Sequence, residues 1–307
     1  MRLDRTVSLY AFRPLLEMNV ISNKRALPIL MYHSISDDAE PDSSPYYKTA
    51  TSPAVFAQHV RWLSDEGFRS VGLEEGVRLA QQGGLEQEKV VVITFDDGFR
   101  DFYNAAFPLL KAHGHTATVF LPTAFIEQGR QSFKNKECLT WEEVRELRTQ
   151  GIQFGSHTVN HPFLYQSSWE EIENQLVFSK VTLERELGEK VTSFAYPYAF
   201  PQQDPSFTGA FQKMLQEQGY RHCVTTMIGR VRPGDDVFSL KRLPVNNYDD
   251  KPLLLAKLNG AYDGMGHLQS WSKAIRHQLR QVFQIGSATR SVEQPFTALQ
   301  SSRDSLP

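Results

Sequence analysis

Apolar and polar positions along this chain fall into blocks that alternate between two periods. Residues 28–35 and 90–95 are near-continuous apolar runs, as expected of parallel strands covered on both faces. Residues 68–73, 116–121, 152–156, 191–196, 222–226 and 238–245 read as further strands. Helical patterns lie between them. Ser52 and Pro53 supply an N-cap and a first-turn proline, and Gly67 closes that helix. Residues 74–82 and 104–113 follow, the latter ending at Gly114. Thr140-Trp141-Glu142-Glu143 is a capping box opening a helix that stops at Gly151. Residues 169–187 form a long helix closed by Gly188, and residues 207–218 a later one. About eight strands alternating with helices predict a parallel α/β architecture, barrel or open sheet, and the chain length favours a barrel.

Two segments break the pattern. Residues 37–50 are polar and read as a loop, and residues 249–266 interrupt the alternation. Beyond them Trp271, Ile275, Leu279, Val282 and Phe283 share one helical face, with Lys273, Arg276 and Arg280 mostly elsewhere. The expected organisation is therefore an N-terminal extension (1–26), a catalytic-type α/β domain (27–246), and a C-terminal helical extension with a polar tail (247–307).

Composition narrows the function classes. Of 307 residues, 40% are hydrophobic and 22% charged, enough apolar material for a full core. A net charge of -2 argues against a general nucleic-acid partner. The two cysteines, Cys138 and Cys223, form neither a disulfide framework nor a metal-type cluster. No apolar run is long enough to span a membrane. Asp4, Arg5 and Arg13-Pro14 spoil any secretory signal, so the expectation is a cytoplasmic protein. The basic flank of the C-terminal stripe leaves a peripheral contact at the inner membrane face open.

The chemistry concentrates at the end of the 90–95 run, in Asp96-Asp97-Gly98. Adjacent carboxylates repel, and burying both is costly unless a cation offsets them. Neighbouring strand side chains point to opposite faces, so the two converge only if the chain turns, which Gly98 permits. A plain capping pair in a strand–helix loop is the competing explanation. Downstream, His157 and His161 stand four apart, close enough to share one metal from a single turn or tight loop, because Pro162 disfavours helix at His161. Two imidazoles and one carboxylate leave an open position for water, and the second carboxylate is free to act as a base.

Thr94-Phe95-Asp96-Asp97-Gly98 and Ser156-His157-Thr158-Val159-Asn160-His161-Pro162 resemble the first two motifs of the polysaccharide deacetylase family, the NodB-homology or carbohydrate esterase family 4 domain. Phe194-Ala195-Tyr196-Pro197-Tyr198 is similar to its third motif. Ile29-Leu30-Met31-Tyr32-His33 and Lys241-Arg242-Leu243-Pro244-Val245 resemble a subgroup whose first strand supplies a catalytic histidine. The resemblance covers residues 27–246 and implies a distorted (β/α) barrel of about seven strands. It implies Asp97, His157 and His161 as ligands of a divalent metal, Zn2+ first, with Co2+, Ni2+ or Mn2+ as alternatives. It further implies Asp96 as general base, the Tyr198 backbone N–H as oxyanion donor, and His33 as the acid for the leaving amine. The reaction implied is removal of N-acetyl groups from a glycan or its lipid- or nucleotide-linked precursor in surface-polysaccharide assembly. An O-acetyl esterase or non-sugar amidase, and an inactive carbohydrate-binding or scaffold module, are the alternatives.

Two departures from the family pattern stand out. Ala195 occupies the place of an arginine that pairs with the base, and Arg242 is the substitute candidate, against a solvated strand-end arginine. The C-terminal Leu-x-x-His motif is not evident; His33 takes its role, against a buried core histidine, with His267 as a rival. His59, His113, His115 and His277 are expected on the surface. Trp141 and Trp169, at helix starts, are expected to anchor their helices, with a place beside a sugar site as the alternative.

Overall fold

The computed structural model describes residues 3–18, 26–40, 45 and 48–265 of the chain. Eight parallel strands make the main sheet: β1 (Ile29–Tyr32), β2 (Arg69–Val71), β3 (Val90–Phe95), β4 (Thr118–Leu121), β5 (Gln153–Ser156), β6 (Ser193–Ala195), β7 (His222–Ile228) and β8 (Leu240–Pro244). Seven run β1-β8-β7-β6-β5-β4-β3, and β3 pairs back with β1 from Ile29↔Val92 to Tyr32↔Phe95, which closes a barrel. β2 lies outside that ring, paired with the first half of β3.

The alternation along β3 explains why all six of its residues are buried. Val90 and Val92 pack with Ile29, Phe120, Ala195, Val224 and Leu240, drawn from five other strands, and so face the barrel interior. Val91, Ile93 and Phe95 pack outward with Phe56, Val60 and Leu63 of a surrounding helix. By the same period of two, Thr94 and Asp96 belong to the interior side, as does Arg242, two residues beyond Leu240. The upper end of the barrel is therefore polar by sequence register.

Helices cover the outside: α1 (Pro53–Asp65), α2 (Leu73–Gln81), α3 (Phe107–Ala112, entered through a π-turn at Phe102–Ala106), α4 (Trp141–Thr149), α5 (Trp169–Leu187), α6 (Pro205–Glu217) and α7 (Lys251–Asn259). Their ends carry the predicted caps. Ser52 accepts from Val55 N, Thr140 and Glu143 close a full capping box, and Gly188 takes the left-handed conformation at φ 67°.

Three expectations need correction. The 28–35 run is not one strand: β1 ends at Tyr32, and Ser34–Ile35 pairs separately with Ala50–Thr51, which leaves His33 at the break. The 249–266 segment holds α7, so the alternation continues there. Leu253, Leu254, Ala256, Lys257 and Leu258 are buried, while the open face carries Pro252, Leu255 and Asn259; a lysine on the buried side and apolar residues on the open side leave no amphipathic stripe to read. His59 is not a surface residue. It shares the buried stripe of α1 with Phe56, Val60 and Leu63, bonded to Tyr32 Oη (3.0 Å) and the Asp249 carbonyl (2.7 Å). His115 is likewise buried.

Residues 3–17 are helical and lie against α7, where Leu9 and Phe12 pack on Ala256 and Ala261, and Arg5 meets Asp250 at 2.6 Å. The predicted C-terminal stripe, with His267 and His277, lies outside the described residues. Among the described residues no helix is long and apolar enough to cross a membrane.

Candidate active site

Asp96 follows β3 directly, its amide bonded to the Tyr32 carbonyl at 3.0 Å, so it still belongs to the strand ladder. The turn comes one residue later. Asp97 takes a left-handed φ of 72° and Gly98 one of 64°, which swings the second carboxylate to the same side as the first. A Cβ at Gly98 would lie 2.8 Å from the Leu121 side chain, so glycine is required twice over.

Asp96 is 3% exposed, and Arg242, from β8 on the far side of β1, is 0% exposed. The guanidinium grips the carboxylate through both arms, Nη1 to Oδ1 and Nη2 to Oδ2, each at 2.7 Å. Two further donors reach the Thr225 carbonyl (2.9 Å) and Thr94 Oγ1 (3.2 Å), so four of the five N–H groups of the buried guanidinium are bonded. Arg242 is thus not a solvated strand-end residue. Burial pushes the Asp96 carboxyl upward, but Arg242, followed by His157, outweighs it and holds the group well below the usual carboxylate range. His33 stands on the other flank, with Nε2 3.9 Å from Asp96 Oδ2. Burial lowers the His33 pKa against the pull of Asp96 and Asp97.

Asp97 divides its two oxygens. Oδ2 accepts from Lys134 Nζ at 3.0 Å. Oδ1 faces His161 Nε2 at 3.3 Å and His157 Nε2 at 3.7 Å, and it is buried without a hydrogen-bond donor. His157 Nδ1 lies 2.7 Å from the Ala195 carbonyl, which can only accept, so Nδ1 carries the proton and Nε2 keeps a lone pair toward Asp97. Burial keeps His157 neutral, and with His157 nearby it lowers His161 to about 3. An orphaned carboxylate oxygen and two neutral imidazoles, with ligand atoms within 4.8 Å of one another, fit a divalent cation, and the His2Asp set suits zinc chemistry.

The imidazoles do not sit on a helical turn. Thr158 (φ 71°) and His161 (φ 57°) are both left-handed, and the loop is held by Gln175 of α5. Gln175 Oε1 accepts from the amides of Val159 (2.8 Å) and Asn160 (3.2 Å), while its Nε2 donates to Asn160 Oδ1 (2.8 Å). Sequence reasoning missed Gln175 and also Lys134. Lys134 sits at the tip of a hairpin joining Ser132–Phe133 to Lys136–Glu137, where it and Asn135 both have positive φ. A polar residue pair between two short β-type stretches was the available signal.

Tyr198 completes the group in a loop after β6, at φ 57°, with its ring 4.5 Å from that of His161. His33, Asp96, Asp97, His157, His161 and Tyr198 all line one open cavity of about 910 Å³. Arg242 stands behind Asp96 and does not line it.

Residues 84–222 match the family described as polysaccharide deacetylase. YxkH of Bacillus subtilis, a polysaccharide deacetylase by name, is 30% identical over 220 residues, which cover 72% of this chain and 71% of that protein. The chain belongs to the polysaccharide deacetylase family. Among solved structures, the Streptococcus pyogenes deacetylase PplD, in complex with acetate, superposes with a TM-score of 0.66 at 29% identity, over 76% of this chain and 98% of that one. The poly-beta-1,6-N-acetyl-D-glucosamine N-deacetylase of Escherichia coli is 29% identical over 150 residues, 45% of this chain but only 21% of that much longer protein. The closed parallel barrel with surrounding helices is thus the fold of a polysaccharide deacetylase, as the resemblance implied.

Proposed function

We propose that the protein is a metal-dependent hydrolase that removes N-acetyl groups from a sugar in a polysaccharide or its lipid- or nucleotide-linked precursor. The observation that carries this reading is the separation of the two aspartates. Asp97 turns a bare oxygen toward two neutral imidazoles, while Asp96, a residue earlier, is held ionised by Arg242 beside the same cavity. The names of the relatives support the choice of an acetylated glycan.

Asp97, His157 and His161 would hold the cation, Zn2+ first among the candidates, which supplies Lewis acidity to the acetyl carbonyl and to a water molecule. Asp96 accepts the proton of the attacking water, on the oxygen that faces His33. Arg242 keeps that carboxylate in place and charged in an interior that would otherwise neutralise it. The Tyr198 amide donates to the oxygen of the tetrahedral species, as a fixed dipole that needs no reorganisation. His33, lining the same cavity with Nε2 3.9 Å from Asp96 Oδ2, takes up that proton and delivers it to the departing nitrogen, giving acetate and a free amine.

The test is acetate release from N-acetylated and O-acetylated sugars, with and without a chelator, followed by addition of Zn2+, Co2+, Ni2+ or Mn2+. Chelator-sensitive release from the N-acetylated substrate is expected. Release from the O-acetylated sugar alone would assign an esterase, and no release from either would leave a binding module.

A further inference from the structure

One buried ion pair has no part in the proposed hydrolysis. Lys257 of α7 and Asp249 are 0% and 1% exposed, with Nζ 2.6 Å from Oδ1. Lys257 also donates to the carbonyl of Pro244, the last residue of β8, at 2.5 Å, and its ammonium lies 4.6 Å from the centre of the Tyr262 ring. Tyr262 is held in turn by Asp4 of the N-terminal extension, Oη to Oδ2 at 2.7 Å, and both are buried. Stability does not explain the pair, because apolar residues of similar volume in place of a buried ion pair are often neutral or stabilising.

The pair shapes the loop between β8 and α7. Asp249 Oδ2 accepts from the Asn246 amide at 2.8 Å, which folds the loop back on itself and leaves Asn246 4% exposed. The Asn246 side chain has a defined orientation. Its Oδ1 accepts from the Tyr248 amide at 3.0 Å, so Nδ2 faces two carbonyls, those of Pro45 (2.9 Å) and Lys48 (2.8 Å), and both of its protons are used. Asn247 adds two bonds beside it, N to the Ala50 carbonyl (3.3 Å) and Oδ1 from the Ser52 amide (3.1 Å).

The clipped segment is a wall of the cavity. It leaves the barrel at Ser34–Ile35 and returns at Ala50–Thr51, and these two stretches pair with each other. Asp38, Ala39 and Glu40 on the way out, and Thr49 on the way back, line the cavity together with His33. The two limbs are joined at that point, where Glu40 Oε1 accepts from Thr49 N (2.8 Å) and Thr49 Oγ1 (3.0 Å). Thr49 directly follows Lys48, whose carbonyl Asn246 holds. Asn246 itself does not line the cavity.

We propose that Asn246, backed by the Asp249–Lys257 pair, is a positioning residue that fixes Glu40 and Thr49 as a substrate-binding wall. It acts on substrate affinity through that wall, without touching substrate or metal. This deepens the deacetylase reading and rests on it for the identity of the substrate. It also gives the buried charges behind β8 a task distinct from that of Arg242, which holds the catalytic carboxylate.

The test uses the metal-loaded full chain and a β-1,6-linked N-acetylglucosamine pentamer. Asn246→Ala should keep its metal and raise KM for acetate release about tenfold, with kcat within about twofold of wild type. Asn246→Asp, of the same size but without the Nδ2 donors, should do the same. Hydrogen exchange of the amides of residues 48–52 should accelerate by about tenfold more than that of Val90–Phe95 in β3, as a local opening does. The double variant Asp249→Ala with Lys257→Met removes the pair without stranding a charge, and should show the same rise in KM. Acceleration no greater than in β3 would mean a general loss of stability, and an unchanged KM in Asn246→Ala or in the double variant would mean a purely structural contact; either result would overturn the proposal. Pentamer binding, followed by titration calorimetry, separates it from the deacetylase reading. If wild type releases no acetate, that reading fails, and a tenfold weaker pentamer affinity in Asn246→Ala still upholds the wall. Unchanged affinity, or no pentamer binding by wild type, overturns the wall, and acetate release with an unchanged KM overturns the wall alone.

Discussion

Arg242 and Asp96 form a bidentate ion pair, its guanidinium closed off from solvent behind a carboxylate that borders the cavity, and it joins β8 to the end of β3 across β1. The pair does two jobs that pull in different directions. It keeps Asp96 ionised where burial alone would neutralise it, and in doing so it makes the carboxylate a weaker base. A cation beside Asp97 and a water molecule acidified by it would relieve that conflict, since a weak base suffices for an acidic proton.

Removing one partner of such a pair leaves an uncompensated buried charge. Arg242→Ala is expected to cost about 3–5 kcal/mol of stability. The double variant Arg242→Ala with Asp96→Asn should lose less than the sum of the singles, because the stranded charge is gone. Arg242→Lys keeps the charge but not the fork, and should fall between. Denaturant melts of the four proteins check this; strict additivity would mean that the pair is not coupled.

Gln175 reaches the histidine loop from α5 and satisfies two of its amides. Gln175→Ala is expected to cost about 1 kcal/mol, because the half-buried Val159 amide and the Asn160 amide lose their acceptor. It should also weaken metal binding, since His161 depends on that loop's left-handed geometry. Competition titration with a chromophoric chelator gives the affinity; an unchanged value would show that the loop holds its shape without Gln175.

The metal-free protein should lose stability as pH falls below about 6.5. Burial lowers His33, His59, His115, His157, His161 and His222. Their folded pKa values lie below that of free histidine, so the unfolded chain binds protons first, and the stability present above about 6.5 is lost as pH falls toward the folded values. Asp101, raised by burial, works the other way, one carboxyl against six imidazoles. The depressed Asp96 and Asp97 add their own loss only below about pH 4. Thermal melts of chelator-treated protein at pH 7.5, 6.0 and 5.0 should fall in that order; a flat or rising series would contradict the buried neutral imidazoles.

Much of this was legible in the sequence because it depends on period and local chemistry. The β3 run predicts a strand buried on both faces, and Asp96-Asp97-Gly98 predicts a turn that brings two carboxylates together. What was not legible depends on groups distant in the chain. Nothing local to Arg242 shows that β8 carries it into the barrel interior opposite Asp96. Nothing near His157 shows that Gln175 shapes its loop, or that a hairpin swings Lys134 onto Asp97. His59 was readable in principle, since it falls on the apolar stripe of α1. A place on a helix alone suggests the surface, and what permits its burial, Tyr32 and the Asp249 carbonyl, is contributed by other elements.

The division of labour between the adjacent aspartates is tested most directly by one variant with two readouts, metal content and acetate release from an N-acetylated glycan. Asp96→Asn should retain its equivalent of metal, because Asp97, His157 and His161 are intact, while acetate release falls by about 100-fold or more. His157→Ala serves as the control that loses the metal. An Asp96→Asn protein that keeps full activity, or one that loses its metal as His157→Ala does, would contradict the account.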